Sequence, residues 1–147
     1  MQNAFTMAPT IKNDSKMMFS LAKNVPPCFI DVRDTGALGA RVLRDPERYA
    51  GNVYDFSGVK SNYEEFANVF SEVLGRPITF VASTLEQAEQ GMRSRSMPDW
   101  LITHLAVARA SASGAFAEEV TQPIRDILGR VPLTTKQFVQ DHKAAFA

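Results

Sequence analysis

The spacing of apolar positions divides the chain into short strand-like runs and amphipathic helices. Four runs read as strands: Lys16 to Leu21, Cys28 to Val32, Asn52 to Phe56 and Ile78 to Val81. Elsewhere the period is that of a helix. Tyr63, Phe66, Phe70, Val73 and Leu74 share one helical face, opened by the capping pattern Ser61-x-x-Glu64 and stopped by Gly75 ahead of Arg76-Pro77. Thr84-x-x-Gln87 opens a second helix that fades near Gly91, and Pro98 fits the first turn of a third, which carries Trp100, Leu101, His104, Leu105 and Ala108. That helix runs into the small-residue stretch Ala110 to Ala115, suited to tight packing or to poor order. Thr121 precedes a short helix with Ile124, Ile127 and Leu128, closed by Gly129. Thr134-x-x-Gln137 caps a terminal helix with Phe138, Val139, His142 and Phe146. The pattern predicts an α/β chain, mixed α+β as it stands, with few short strands and a helix-rich C-terminal half.

The segment Pro27 to Leu43 has two readings. An apolar run followed by Thr35-Gly36-Ala37-Leu38-Gly39 is most of a dinucleotide-binding turn, with Val42 where the last small residue belongs. In such a turn glycines let the backbone approach a pyrophosphate at a helix N-terminus, and an acidic residue about 20 positions on holds the ribose, a place Asp55 could take. Against this, Asp31 and Asp34 flank the turn, and Asp34 sets negative charge where phosphates would sit unless Arg33 offsets it. The plainer alternative makes Asp34 a helix N-cap, Gly36 and Gly39 small residues for close packing, and Asp31, Arg33 and Asp34 a surface ion-pair network.

Composition changes the picture little. The chain has 147 residues, enough for one core, with 45% hydrophobic and 22% charged residues. Lys plus Arg and Asp plus Glu are both 16, so the net charge is zero and gives no electrostatic reason to expect nucleic acid or a membrane surface. No apolar run approaches the roughly 20 residues of a membrane span, and the first residues lack the pattern of a signal peptide. The lone Cys28 reads as a small hydrophobe in a reducing compartment, which makes a cytoplasmic location the expectation.

Taken in order, FIDVRD, GNVYDFSG, SEVLGRPITFV, MPDWL and ILGRVPLTTKQFVQDHKAAF resemble the C-terminal half of NmrA-like proteins, atypical relatives of the short-chain dehydrogenase/reductases. Met1 to Phe5 resembles the segment after that family's sixth strand. The resemblance implies the C-terminal part of a Rossmann-like fold, a single partial domain over residues 1–147, and an NAD(P)H-dependent oxidoreductase. It also implies that the glycine-rich cofactor loop belongs to a region that precedes the equivalent of Met1. NAD or NADP is therefore implied by the family alone, and none is expected to bind this chain unaided.

By position in the family, Asn3 and Phe5 would line the floor of a substrate pocket and the helix of Trp100 would form a lid. Burial of Phe5 and Trp100 as core is the competing reading. No catalytic residue is assigned: Tyr49, Tyr54 and Tyr63 lack a lysine four positions on, and His104 and His142 read as structural. No cofactor-binding residue is assigned either, and no metal ligands converge. Strands normally continued by a larger sheet would expose edge and apolar face, so self-association or a protein partner is expected beside a small-molecule substrate. A regulatory interaction module and a cofactor-free isomerase or cyclase are the other functional readings.

Overall fold

The computed structural model describes residues 1–20, 28–111 and 121–147, with side chains of 109–111 left aside. The chain opens with a 3-10 helix (Gln2–Met7) that continues into α1 (Ala8–Asp14). Ser15 then takes a left-handed conformation and turns the chain into β1 (Lys16–Phe19). β1 pairs in parallel with β4 (Thr79–Ala82), in the register Lys16 with Thr79 to Phe19 with Ala82. Between them lie β2 (Cys28–Phe29), α2 (Val32–Arg44), α3 (Pro46–Tyr49), β3 (Val59–Lys60) and α4 (Tyr63–Leu74). β2 and β3 form a separate antiparallel pair. After β4 come α5 (Leu85–Arg93), α6 (Asp99–Ser111), α7 (Gln122–Leu128), α8 (Thr135–Asp141) and α9 (Lys143–Phe146).

α4 is the centre of the core. Phe66, Ala67 and Phe70 are buried on one face, and they meet Phe138, Val139 and Phe146 from α8 and α9, Ile11 from α1 and Met17 from β1. The Phe70 and Phe146 rings meet edge to face at 4.8 Å. Each such side chain contributes about 1.5–3 kcal/mol by leaving water, so α4 and the C-terminal segment stabilise one another.

Two of the expected strands, those at Lys16 and Ile78, form close to where the pattern puts them, with Leu21 outside the described residues; that at Cys28 is cut to Cys28–Phe29, because Asp31 caps α2 and Val32 begins it. Asn52 to Phe56 is not a strand. Val53 is 89% exposed, and the pairing with β2 falls instead at Val59 and Lys60. The physical reason is Gly58, whose missing side chain lets the two backbones come close enough to pair. The α4 cap shifts by one residue: Asn62 Oδ1 accepts from the Glu65 amide at 2.8 Å, and Glu65 Oε2 accepts from the Asn62 amide at 3.2 Å. Ser61 donates to the same Glu65 oxygen at 2.7 Å, so both candidate cap residues serve one carboxylate.

The boxes Thr84/Gln87 and Thr134/Gln137 form as expected, and Gly75 and Gly129 end their helices in left-handed conformations. The terminal helix breaks at His142, which separates α8 from α9. Among the described side chains of α6 Ile102 is the buried one, while Trp100, His104 and Ala108, spaced four apart, face solvent. Most of the small-residue stretch Ala110 to Ala115 lies outside the described residues.

Candidate functional site

The start of α2 organises the candidate site. Asp31 is the N-cap and is fully buried. Its Oδ1 accepts from the Arg33 amide at 2.9 Å, from Arg33 Nε at 3.0 Å and from Gln2 Nε2 at 2.9 Å. Its Oδ2 takes Arg33 Nη2 at 2.7 Å. The other atom of the Gln2 amide, Oε1, accepts from the Val32 amide at 3.0 Å, and the Asp34 amide donates to the Asp31 carbonyl at 3.0 Å. Three successive N–H groups at this helix end are thus occupied by the chain itself. Burial pushes the Asp31 carboxyl up, but the Arg33 side chain and amide, the Gln2 amide and the guanidinium charge outweigh it and hold the pKa at about 2. Arg33 is raised above its ordinary value, first by its hydrogen bond to Asp31 and then by that to Asp141.

The same helix end grips the C-terminal segment. Arg33 Nη1 reaches Asp141 Oδ2 at 2.6 Å. Asp34, also fully buried, accepts from the Leu133 amide at 2.9 Å and pairs with Arg130 Nη1 at 2.7 Å. Asp34 is therefore neither the N-cap nor part of a surface network: the cap is Asp31, and both carboxylates are buried. Gly36 and Gly39 lie inside α2, past its free N–H groups, and a methyl at either would meet nothing within 4 Å. Neither glycine is needed for close packing. Gly36→Ala and Gly39→Ala are each expected to stabilise the chain by about 0.5–1 kcal/mol, read as a raised urea midpoint, because alanine loses less backbone freedom in a helix.

Of the expected substrate residues, Asn3 and Phe5 lie together on the opening 3-10 helix. Asn3 is exposed and its carbonyl accepts from Thr6 Oγ1 at 2.7 Å. Phe5 is 38% exposed, with one face stacked on Phe146 at 5.3 Å and edge contacts to Phe138 at 5.6 Å and His142 at 5.2 Å. Trp100 is 70% exposed on α6, so its reading as core does not hold. The turn between α5 and α6 reaches the 3-10 helix through Arg95 Nη1 and the Thr6 carbonyl at 3.4 Å. His104 is exposed and not half-buried; His142 is half-buried.

Sequence reasoning missed Gln2 and Arg130 as partners of the α2 carboxylates and Asp141 as a partner of Arg33. The available signal was that two acids flank a helix start next to an apolar run, where burial demands cations. Among the described residues no group of His, Cys, Asp and Glu could hold a metal ion. A shallow cleft of about 350 Å³ lined by Glu72, Val73, Lys136, Gln140 and Lys143 is crossed by the Lys136–Glu72 ion pair at 2.5 Å and lies on other residues than the site.

No protein-family model matches the chain. It is 30% identical over 147 residues to an NAD(P)H azoreductase of Xenophilus azovorans, covering 99% of this chain and 51% of the azoreductase. The chain is thus similar to about half of an NAD(P)H-dependent reductase. Solved structures agree on the fold. An NADPH-dependent quinone oxidoreductase from Escherichia coli superposes with a TM-score of 0.77 at 19% identity, over 95% of this chain and 50% of that one. A nucleoside-diphosphate-sugar epimerase from Staphylococcus aureus gives 0.77 at 18% identity, over 95% and 48%. These likenesses bear out the resemblance to the C-terminal half of an NmrA-like reductase. The chain spans about half the length of the curated relatives it matches.

Proposed function

We propose that this chain is the substrate-side portion of an NAD(P)H-dependent oxidoreductase and does not hold the dinucleotide unaided. The observation that carries the reading is the closed N-terminus of α2. Its amides are taken by Asp31 and Gln2, and two buried carboxylates stand where a diphosphate would need positive charge. What remains is an aromatic surface around Phe5 suited to a small conjugated electron acceptor, the kind of compound the azoreductase and quinone oxidoreductase are named for. The chemistry the cofactor supplies when bound is hydride donation; Phe5 and its neighbours would position the acceptor and exclude water.

The parallel pair β1·β4 supports the expected protein contact. Parallel sheets are ordinarily covered on both faces and extended at the edge. Met18, 39% exposed on β1, belongs to the face opposite the core. A second copy or a dinucleotide-binding partner would cover it. The lone thiol of Cys28 suits a cytoplasmic setting. No helix among the described residues is long and apolar enough to cross a membrane.

Equilibrium dialysis of the purified chain against anthraquinone sulfonate and, separately, NADPH tests the reading. The expected outcome is saturable binding of the quinone and none of the dinucleotide. Binding of neither removes the substrate-side assignment, and binding of NADPH removes the half-site assignment.

A further inference from the structure

We propose that His142 is the hydrogen-bonding group of this substrate site, donating to a carbonyl or azo acceptor atom of a flat conjugated ligand lying against Phe5; the assignment rests on the substrate-side reading above. Phe5 stays 38% exposed although one ring face is stacked on Phe146 with an interplanar angle of 6°. The exposed remainder is a flat apolar surface. The His142 ring borders it at 5.2 Å and 78°, held from behind by Phe138 at 4.9 Å.

His142 sits at the break between α8 and α9, half-buried, and neither ring nitrogen has a hydrogen-bond partner among the described residues. A neutral imidazole always offers one N–H and one acceptor nitrogen. Apolar walls with one or two convergent polar groups are what orients a small ligand. His104, exposed on α6, has no such aromatic contact.

Both elements that carry the ring pair are fixed to one buried carboxylate. Gln2 bonds Asp31 three residues before Phe5, and Asp141, next to His142, bonds Arg33, which itself chelates Asp31. The separation of Phe5 from His142 is therefore supported by hydrogen bonds to Asp31 and Arg33 that form without a ligand, the pre-organisation a recognition site needs.

The chain has two histidines, so its imidazole proton signals form two sets, assigned with His104→Gln. Titration with anthraquinone sulfonate, a flat probe with ring carbonyls, is expected to shift the His142 signals saturably and leave those of His104 in place. His142→Gln, which keeps an N–H donor, is expected to bind within about threefold of the parent chain. His142→Leu, which keeps bulk and loses the donor, is expected to bind about tenfold more weakly or worse. Saturable binding that moves only His104 or Trp100 signals overturns the assignment and leaves the substrate-side reading standing. His142→Leu binding as tightly as the parent chain does the same. Binding at His142 accompanied by tight NADPH binding supports the assignment while removing the half-site reading. Should His142→Leu fail to fold, the parent chain's His142 signals decide alone.

Discussion

Gly58→Ala is expected to destabilise the chain by about 3 kcal/mol or more, enough to leave much of it unfolded at room temperature. A side-chain carbon built at Gly58 would stand 1.8 Å from the Phe29 carbonyl oxygen and 2.6 Å from the Ile30 α-carbon. These are backbone atoms, so no rotamer change relieves the overlap. The β2·β3 pair must separate, and with it Phe29 leaves Phe66 and Tyr63, whose rings it meets at 4.9 and 5.1 Å. Ile30 and Asp31 follow Phe29 directly, so the α2 clasp is disturbed as well. Urea unfolding followed by far-ultraviolet circular dichroism measures the effect. A loss under about 1 kcal/mol would mean that the two backbones are not in contact.

Asp31→Ala is expected to cost about 2–3 kcal/mol, the sum of a lost N-cap and several charge-assisted hydrogen bonds. The cost is held to that range because Arg33, 42% exposed, regains water when its partner goes. Asp31 also imposes a pH dependence of known sign. Its folded pKa of about 2 lies below the ordinary 3.8, so the carboxylate stabilises the fold above about pH 4. As pH falls from about 4 toward 2 the chain loses about 2 kcal/mol from this one group, because the unfolded state takes up the proton first. Asp31→Asn is expected to flatten that part of the stability–pH curve. An unchanged slope would place the carboxyl in water. The outer Arg33–Asp141 contact, with both side chains more than 40% exposed, adds less than about 1 kcal/mol and serves chiefly to fix geometry.

Helix boundaries were the most legible part of this fold. Thr84, Thr134, Gly75 and Gly129 act within a few residues of themselves, through side-chain caps or left-handed turns, so the local sequence suffices to place them. The pattern at Ser61 and Asn62 fits two registers equally, and only the packing of Phe66 and Phe70 against the C-terminal helices selects one. Strands were less legible. Asn52 to Phe56 carries a strand composition, but a strand exists only where a partner's amides and carbonyls can be reached, and Gly58 moves that place to Val59. Trp100 illustrates the limit of burial arguments: its helix does bury a residue, but the buried one is Ile102, two positions on.

The site was half legible. Asp31, Arg33 and Asp34 stand out by type, but their partners Gln2, Arg130, Leu133 and Asp141 lie 29 to 108 residues away in sequence. Contacts of that range follow from the fold and carry no local signature. The glycine pair at 36 and 39 shows the converse, a local pattern like that of a phosphate turn that lies inside a helix starting at Val32.

Whether the coenzyme's diphosphate can seat on α2 is decided most directly by calorimetric titration of NADPH into the purified chain, alongside the Gly36→Ala/Gly39→Ala double variant. Heats of dilution alone are predicted for both. A saturable one-site isotherm for the parent chain that vanishes in the double variant would contradict the account at its root.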